Sequence, residues 1–151
     1  MSENIEIRPA TKDDIDGMTE VLGELLTIES EPVDREAIKR GFDMLMADPM
    51  RYCIYVAVQD GDIVGMCQAQ SMISVDEGAY VSYIENVIVS GRLRSSGVGA
   101  KLMSAVENVC KERGHVRITL HVLAKNQKGI QFYERNGWIR ADHQYMEKEF
   151  I

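Results

Sequence analysis

Between Arg51 and Val89 the chain holds three strand-like runs in series, joined by two turn signals. Arg51–Val58 (RYCIYVAV) is rich in β-branched and aromatic residues. Asp60-Gly61 follows as a hairpin turn pair, where glycine takes a positive φ at little cost. Ile63–Ser74 continues as a strand, Asp76-Glu77-Gly78 turns again, and Ala79–Val89 (AYVSYIENVIV) is the third run. Three strands with connections this short pair as an antiparallel meander, and the rest of the chain must pack around that sheet.

The flanks read as follows. Residues 4–8 alternate and meet Pro9, which predicts a short strand. Thr11 with Asp14 three residues on forms a capping box, and Ile15, Met18, Val21, Leu22, Leu25 and Leu26 follow at helical spacing until Pro32. Asp34 caps a second helix to about Met46, with Ile38, Phe42, Leu45 and Met46 on one face. After the meander, a loop (SGRLRSS) leads into a helix opening at Gly97, with a stripe of Val98, Leu102, Ala105, Val106, Val109 and Cys110, ended by Gly114. Val116, Ile118, Leu120 and Val122 alternate as a strand, a helix runs from about Gln127 to Arg135, and Trp138 to Phe150 is expected to be a last strand or hairpin arm. The expected order is β-α-α-β-β-β-α-β-α-β. Strand–helix–strand connections near residues 79–122 require parallel pairing, so the expected fold is α/β of the α+β type, with a mixed, mostly antiparallel sheet flanked by helices. No linker or repeat interrupts it, and residues 1–151 are expected to form a single domain.

Composition narrows the function. The 151 residues are 45% hydrophobic and 27% charged with three prolines, which excludes disordered, collagen-like and coiled-coil chains. No apolar run approaches the ~18 residues of a membrane span, and the acidic start lacks a signal-peptide core, so no membrane association and a cytoplasmic location are expected. The net charge is −7. Residues 1–75 hold 6 Lys+Arg against 15 Asp+Glu, whereas residues 76–151 hold 11 against 9. Without a basic cluster no nucleic-acid partner is expected. The split favours an anionic ligand on the second half and a cationic one on the first, with a solubilising acidic surface as the plainer reading. Cys53, Cys67 and Cys110 are scattered and odd in number, and His115, His121 and His143 lack metal-ligand spacing, so neither disulfides nor a metal site are expected.

The segment from Val87 to Met103 (VIVSGRLRSSGVGAKLM) is the most informative for chemistry. A strand ends in an arginine-bearing loop that opens into Gly97-Val98-Gly99 at a helix start. First-turn N–H groups lack intrahelical partners, and with the helix dipole they form an anion site. Bare glycine lets phosphates approach the backbone, and Arg94 adds a charge. A Walker loop does not fit, because Ala100-Lys101 follows Gly99, and a dinucleotide fingerprint would need glycine where Leu102 stands. What remains is R-x-x-G-x-G, Arg94 to Gly99.

This hexapeptide resembles the [Arg/Gln]-x-x-G-x-[Gly/Ala] hallmark of the GCN5-related N-acetyltransferase (GNAT) superfamily. Residues 126–138 (NQKGIQFYERNGW) are similar to that family's N-x-x-(small)-x-x-F-Y-x-x-x-G-(aromatic) segment, and the element order agrees from Ile5 to Phe150. The resemblance implies an acyl-CoA N-acyltransferase fold and acetyl-CoA as co-substrate. It implies transfer of the acetyl group to a primary amine of a small molecule by direct attack. A protein or peptide amine is the second acceptor class, and a non-catalytic acyl-CoA-binding module is the third reading.

By the same resemblance, the amides of Arg94, Ser95, Ser96, Gly97, Val98, Gly99 and Ala100 hold the pyrophosphate. The strand Val87, Ile88 and Val89 offers edge groups to the pantetheine arm, and an amide at or beside Val87 polarises the thioester carbonyl. Asn126 and the small residue Gly129 belong to the coenzyme segment, with helix capping as the other use of Asn126. Tyr133 matches the acid that protonates the leaving thiolate, with packing or simple coenzyme contact as the alternative. Glu85, a carboxylate inside an apolar run, is the candidate base or amine-holding group, with a salt bridge or an exposed edge position as the alternative. In a regular strand Glu85 shares a face with Val87, and Asn86 lies opposite. Tyr83 is a further candidate for the cleft. Glu24, Glu29, Glu31, Asp34 and Asp43, with Met18, Met44, Met46 and Met50, lie in the region where the family's substrates usually enter and suit a small cationic amine or polyamine, with core filling as the commoner use of methionines at helical spacing. Oligomeric state stays open, with the strand from Trp138 a candidate edge for a homodimer.

Overall fold

The computed structural model describes residues 4–94 and 96–151. These divide into two compact units that meet in sequence at His121 and Val122. The first unit is built on a five-stranded sheet in the order β1-β2-β3-β4-β5. Its strands are β1 (Ile5–Pro9), β2 (Tyr52–Gln59), β3 (Asp62–Ser74), β4 (Ala79–Val89) and β5 (Ile118–Leu120). The first four are antiparallel neighbours, and β5 is parallel to β4. The meander is therefore as expected, with the hairpin turn carrying positive φ at both Asp60 and Gly61.

Helices α1 (Ile15–Ile28), α2 (Arg35–Met46) and α3 (Val98–Glu112) complete this unit. The Thr11–Asp14 box forms, inside a short 3-10 turn over Lys12–Asp14. The Asp14 carboxylate accepts the Thr11 N–H at 2.7 Å and both Arg8 guanidinium donors at 2.8 and 2.9 Å. Asp34 caps α2 by accepting the Ala37 N–H at 3.0 Å. Apolar residues of α1 and α2 (Met18, Val21, Phe42, Leu45 and Met46) close over Ile54, Val56, Met66 and Ile88 of the sheet. The opposite face of the sheet receives α3. A Cβ at Gly65 would lie 2.9 Å from the Ile88 carbonyl oxygen and 3.2 Å from Leu102 Cδ1, so the packing of α3 there depends on a bare backbone. Among the described residues no helix is long and apolar enough to cross a membrane.

The second unit holds α4 (Gln127–Arg135). Asn126 is its N-cap, accepting the Gly129 N–H at 3.0 Å. The expected last strand is not formed, since Trp138–Phe150 carries no strand. The run RADHQ has no alternating apolar face to bury, and Ile139, Tyr145, Met146 and Phe150 are exposed. The edge that this strand was expected to offer a second copy is accordingly absent from the described residues.

Candidate active site

The decisive local feature is a β-bulge in β4. Gln68 of β3 pairs with Asn86 while the next residue, Ala69, pairs with Ile84, so Glu85 is the extra residue without a partner on β3. The bulge changes which side chains share a face. Asn86 and Ile88 pair with Gln68 and Met66 on the side covered by α1 and α2. Val87 pairs with Cys67, which lies by Cys110 of α3 on the other side. Glu85 and Asn86 therefore line one cleft together, and Glu85 is separated from Val87. Strand alternation predicted the reverse, because it has no place for an inserted residue.

The cleft has a volume of about 520 Å³. Leu22 of α1 and Ile38, Phe42 and Leu45 of α2 form its apolar wall, and Gln68, Gln70, Glu85 and Asn86 form its polar floor. The floor is internally bonded. Gln70 Nε2 donates to Glu85 Oε2 at 3.0 Å, and Asn86 Nδ2 donates to Gln68 Oε1 at 3.1 Å. Arg51 and Met44 complete the rim. The sequence reading missed Arg51, Gln68 and Gln70. The signal was the pair of amides two apart in an otherwise apolar strand (MCQAQSM), which puts both on one face.

Not all of the expected acceptor set is here. Met18 and Met46 are buried in the core. Glu24 instead lines a second hollow of about 570 Å³ with Ser90 and Arg92, and its Oε1 accepts the Gly91 N–H at 3.4 Å. Asp34 is engaged as a helix cap. Tyr83 lies on the β4–β5 seam, where its hydroxyl is 3.2 Å from His121 Nδ1. Burial, and then the charge of Glu85, push its phenol above the ordinary range.

Past the bulge, no strand of the described residues pairs with the far edge of β4. β5 pairs only with Ser82, Tyr83 and Ile84. The Ser90 N–H donates to Val64 of β3 at 2.8 Å, so by alternation the backbone of Ile88 also faces β3 while Val87 and Val89 face the open side. Of the three expected edge residues, Val87 and Val89 thus turn their amides and carbonyls outward. The Ile88 side chain is buried in the core.

The strand then runs through a 3-10 turn at Gly91–Leu93 into α3. Gly97 is the N-cap of α3 at φ +88°, a left-handed conformation that favours glycine. The first helical bond inside α3 is Lys101 N–H to the Gly97 carbonyl, at 3.2 Å. The N–H groups of Val98, Gly99 and Ala100 therefore have no intrahelical acceptor and point along the helix axis toward the loop. The amides of Arg94 and Ser96 donate within the loop, to Gly91 at 3.4 Å and Leu93 at 3.2 Å. The Ser96 hydroxyl also bonds the Leu93 carbonyl. Arg94 is exposed, with Nε 3.5 Å from the Val89 carbonyl. Ser95 lies outside the described residues.

In the second unit, a Cβ at Gly129 would lie 2.6 Å from Asn126 Nδ2, so the small residue makes room for the cap. Tyr133 is half-buried in α4, edge-on to Phe132 at 5.3 Å and to Trp138 at 6.1 Å. Among the described residues no group of three or more His, Cys, Asp or Glu side chains could hold a metal.

A bulged strand with an open edge, running into a glycine-capped helix start, defines the acyl-CoA N-acyltransferase class of fold. The chain belongs to the acetyltransferase (GNAT) family, whose model matches residues 18–138. It is similar to the uncharacterized N-acetyltransferase YhfO of Bacillus subtilis, 26% identical over 85 residues, an alignment that takes in 56% of this chain and 57% of that one. It is 23% identical to a glucosamine 6-phosphate N-acetyltransferase of Trypanosoma brucei brucei, over 93% of each chain. In fold it matches a solved aminoglycoside N-acetyltransferase in complex with CoA, with a TM-score of 0.86 at 14% identity over 100% of this chain and 98% of that one. The protein is thus an N-acetyltransferase of this family, and acetyl-CoA is the donor that goes with the fold.

Proposed function

We propose that this protein moves the acetyl group of acetyl-CoA to the primary amine of a small molecule bound in the cleft beneath α1 and α2. The observation that carries the reading is the bulge at Glu85, which sets a carboxylate in that cleft directly before the open edge of β4. The pantetheine arm lies along the outward groups of Val87 and Val89 like an added strand. The diphosphate meets the amides of Val98, Gly99 and Ala100, with Arg94, Ser96 and Gly97 shaping the loop around it. The Val87 amide donates to the thioester oxygen as negative charge develops there.

The chemistry balances in one displacement. Glu85 takes the proton from the ammonium, directly or through water, and the freed amine attacks the thioester carbonyl carbon. The new C–N bond forms, the C–S bond breaks and the thiolate takes a proton from the Tyr133 hydroxyl, while the second proton shed by the acylated nitrogen passes through water to restore the Tyr133 hydroxyl, and Glu85 gives up its proton to solvent. Asn126 and Gly129 hold the start of α4, which carries Tyr133. Residues 1–151 act in this reading as one catalytic domain. A small acceptor is favoured because the cleft is walled by two helices and its floor carries four polar side chains within about 520 Å³. The relatives named for glucosamine 6-phosphate and aminoglycosides act on small amines as well.

The test is free-thiol release from acetyl-CoA with a panel of small amines, lysine-bearing peptides and peptide N-termini. Small amines are turned over, and Glu85→Gln and Tyr133→Phe each lower kcat by on the order of 10²-fold or more while acetyl-CoA still binds. Turnover of peptides alone, or full activity in both variants, overturns the assignment.

A further inference from the structure

We infer that the acceptor carries an oxyanion, most simply a phosphate ester, several bonds away from its amine, and that Arg51 is the residue that selects it. The inference rests on the reading of this cleft as the acceptor site. The lining residues hold one carboxylate, Glu85, and one cation, Arg51, which is ion-paired on one edge with Asp48 outside the lining. Glu24, Glu29, Glu31, Asp34 and Asp43 of the acidic half are not among them. A polycation would need several carboxylates and would be repelled by Arg51. A molecule with one positive and one negative group complements what is present.

The backbone of Arg51 is fixed by two bonds and its side chain by one. Its N–H donates to the Asp48 carbonyl at 3.0 Å, closing the turn after α2, and its carbonyl accepts the Ser71 N–H at 2.7 Å. Its Nε donates to Asp48 Oδ2 at 3.3 Å. That bond uses one edge of the guanidinium and leaves both Nη groups for a second oxyanion, the paired geometry in which arginine grips phosphate.

The spacing narrows the class further. Tyr52, next to Arg51, pairs with Gln70, and Gln70 bonds Glu85. The backbones of Arg51 and Glu85 therefore stand two strands apart and between two and three residues further along the sheet, roughly 13 Å. An α-amino acid holds its amine and carboxylate on one carbon and does not reach both. An amino-sugar phosphate or an aminoalkyl phosphate does, and the amides of Gln68, Gln70 and Asn86 lie between for hydroxyl groups.

The experiment compares kcat/KM of the full chain with acetyl-CoA and four acceptors: glucosamine, glucosamine 6-phosphate, glycine and spermidine. The phosphate ester is expected to exceed glucosamine by on the order of tenfold to a hundredfold, the scale of a charge-assisted contact. Arg51→Ala brings that ratio near one, and Arg51→Lys retains part of it, because an ammonium keeps the charge without the fork. Arg51 is exposed, so both substitutions fall outside the core. A ratio near one in the unmodified protein, a ratio that survives Arg51→Ala, or spermidine as the best acceptor overturns the inference. Acetylation of glucosamine with no gain from the phosphate does so while amine acetylation itself stands. A chain that binds acetyl-CoA yet acetylates none of the four loses both.

Discussion

At the residue scale, ionised groups in this protein do distinct jobs that exposure and partners separate. Asp14 is buried and bonded to Arg8 and to the Thr11 amide, so it fixes the entry into α1 against the end of β1. The Arg8 guanidinium, more than the Thr11 bond, holds its carboxyl below the usual carboxylate range, against the opposing effect of burial. A depressed folded value means that the stabilisation is complete above about pH 4, the ordinary value, and is lost as the pH falls through the folded one. Asp14→Asn is expected to cost about 2 kcal/mol at neutral pH, the scale of a charge-assisted hydrogen bond, and to flatten the acid limb of stability. Urea unfolding of the two proteins across the acid range reads both effects, and equal stability at neutral pH would remove Asp14 from this role. The three cysteines are the opposite case. Burial pushes the Cys53 thiol up to about 11 and raises Cys67 and Cys110 as well, so all three are inert packing groups rather than nucleophiles. Burial, and then Arg113, lower the pKa of His115, whose ring bonds Ser82 and stacks on Tyr80.

At the element scale, the meander, the helices and the glycine-capped start of α3 were legible because each leaves a compositional mark. Asp60-Gly61 marks a turn, Asp34 a cap, and Gly97 a left-handed residue before a helical stripe. The bulge was not legible. An inserted residue changes neither the hydrophobicity nor the length of a strand buried on both faces, so Glu85 stood out only as a charge in an apolar run, and Asn86 was put on the wrong side. The end of the chain misled for a related reason. Trp138, Tyr145 and Phe150 are strand-favouring residues, yet no regular alternation joins them, and propensity without a face to bury does not make a strand. Gly97 offers the sharpest test at this scale. Its φ of +88° with no atom within 4 Å of a Cβ means that alanine meets strain rather than a clash. Gly97→Ala is expected to destabilise by about 1–2 kcal/mol and to weaken CoA binding more than tenfold, since relaxing that φ turns the first-turn amides of α3 away from the diphosphate. Calorimetric titration of CoA checks it, and an unchanged affinity would separate the loop from the coenzyme.

At the scale of the whole molecule, the charge asymmetry of the sequence has a partial explanation. The less acidic half contributes the open strand edge, Arg94 and the start of α3, where a diphosphate is expected, while much of the acidic excess faces solvent or caps helices instead of converging on the acceptor cleft. Binding of acetyl-CoA then couples to folding by mass action. A ligand at a hundred times its dissociation constant stabilises the folded chain by about 2.7 kcal/mol. For a chain of this size each kcal/mol moves the midpoint by roughly 2–4 °C, so acetyl-CoA at that excess is expected to raise Tm by about 5–10 °C. In the proposed binding mode acetyl-pantetheine keeps the contacts of the β4 edge and lacks the diphosphate, so at equal concentration it is expected to give a clearly smaller rise, and added salt is expected to shrink the acetyl-CoA rise more than the acetyl-pantetheine one. Thermal unfolding with both ligands at two ionic strengths reads all three quantities. Equal shifts for the two ligands would mean that the amides of Val98, Gly99 and Ala100 carry none of the binding, and that the strand edge alone holds the donor.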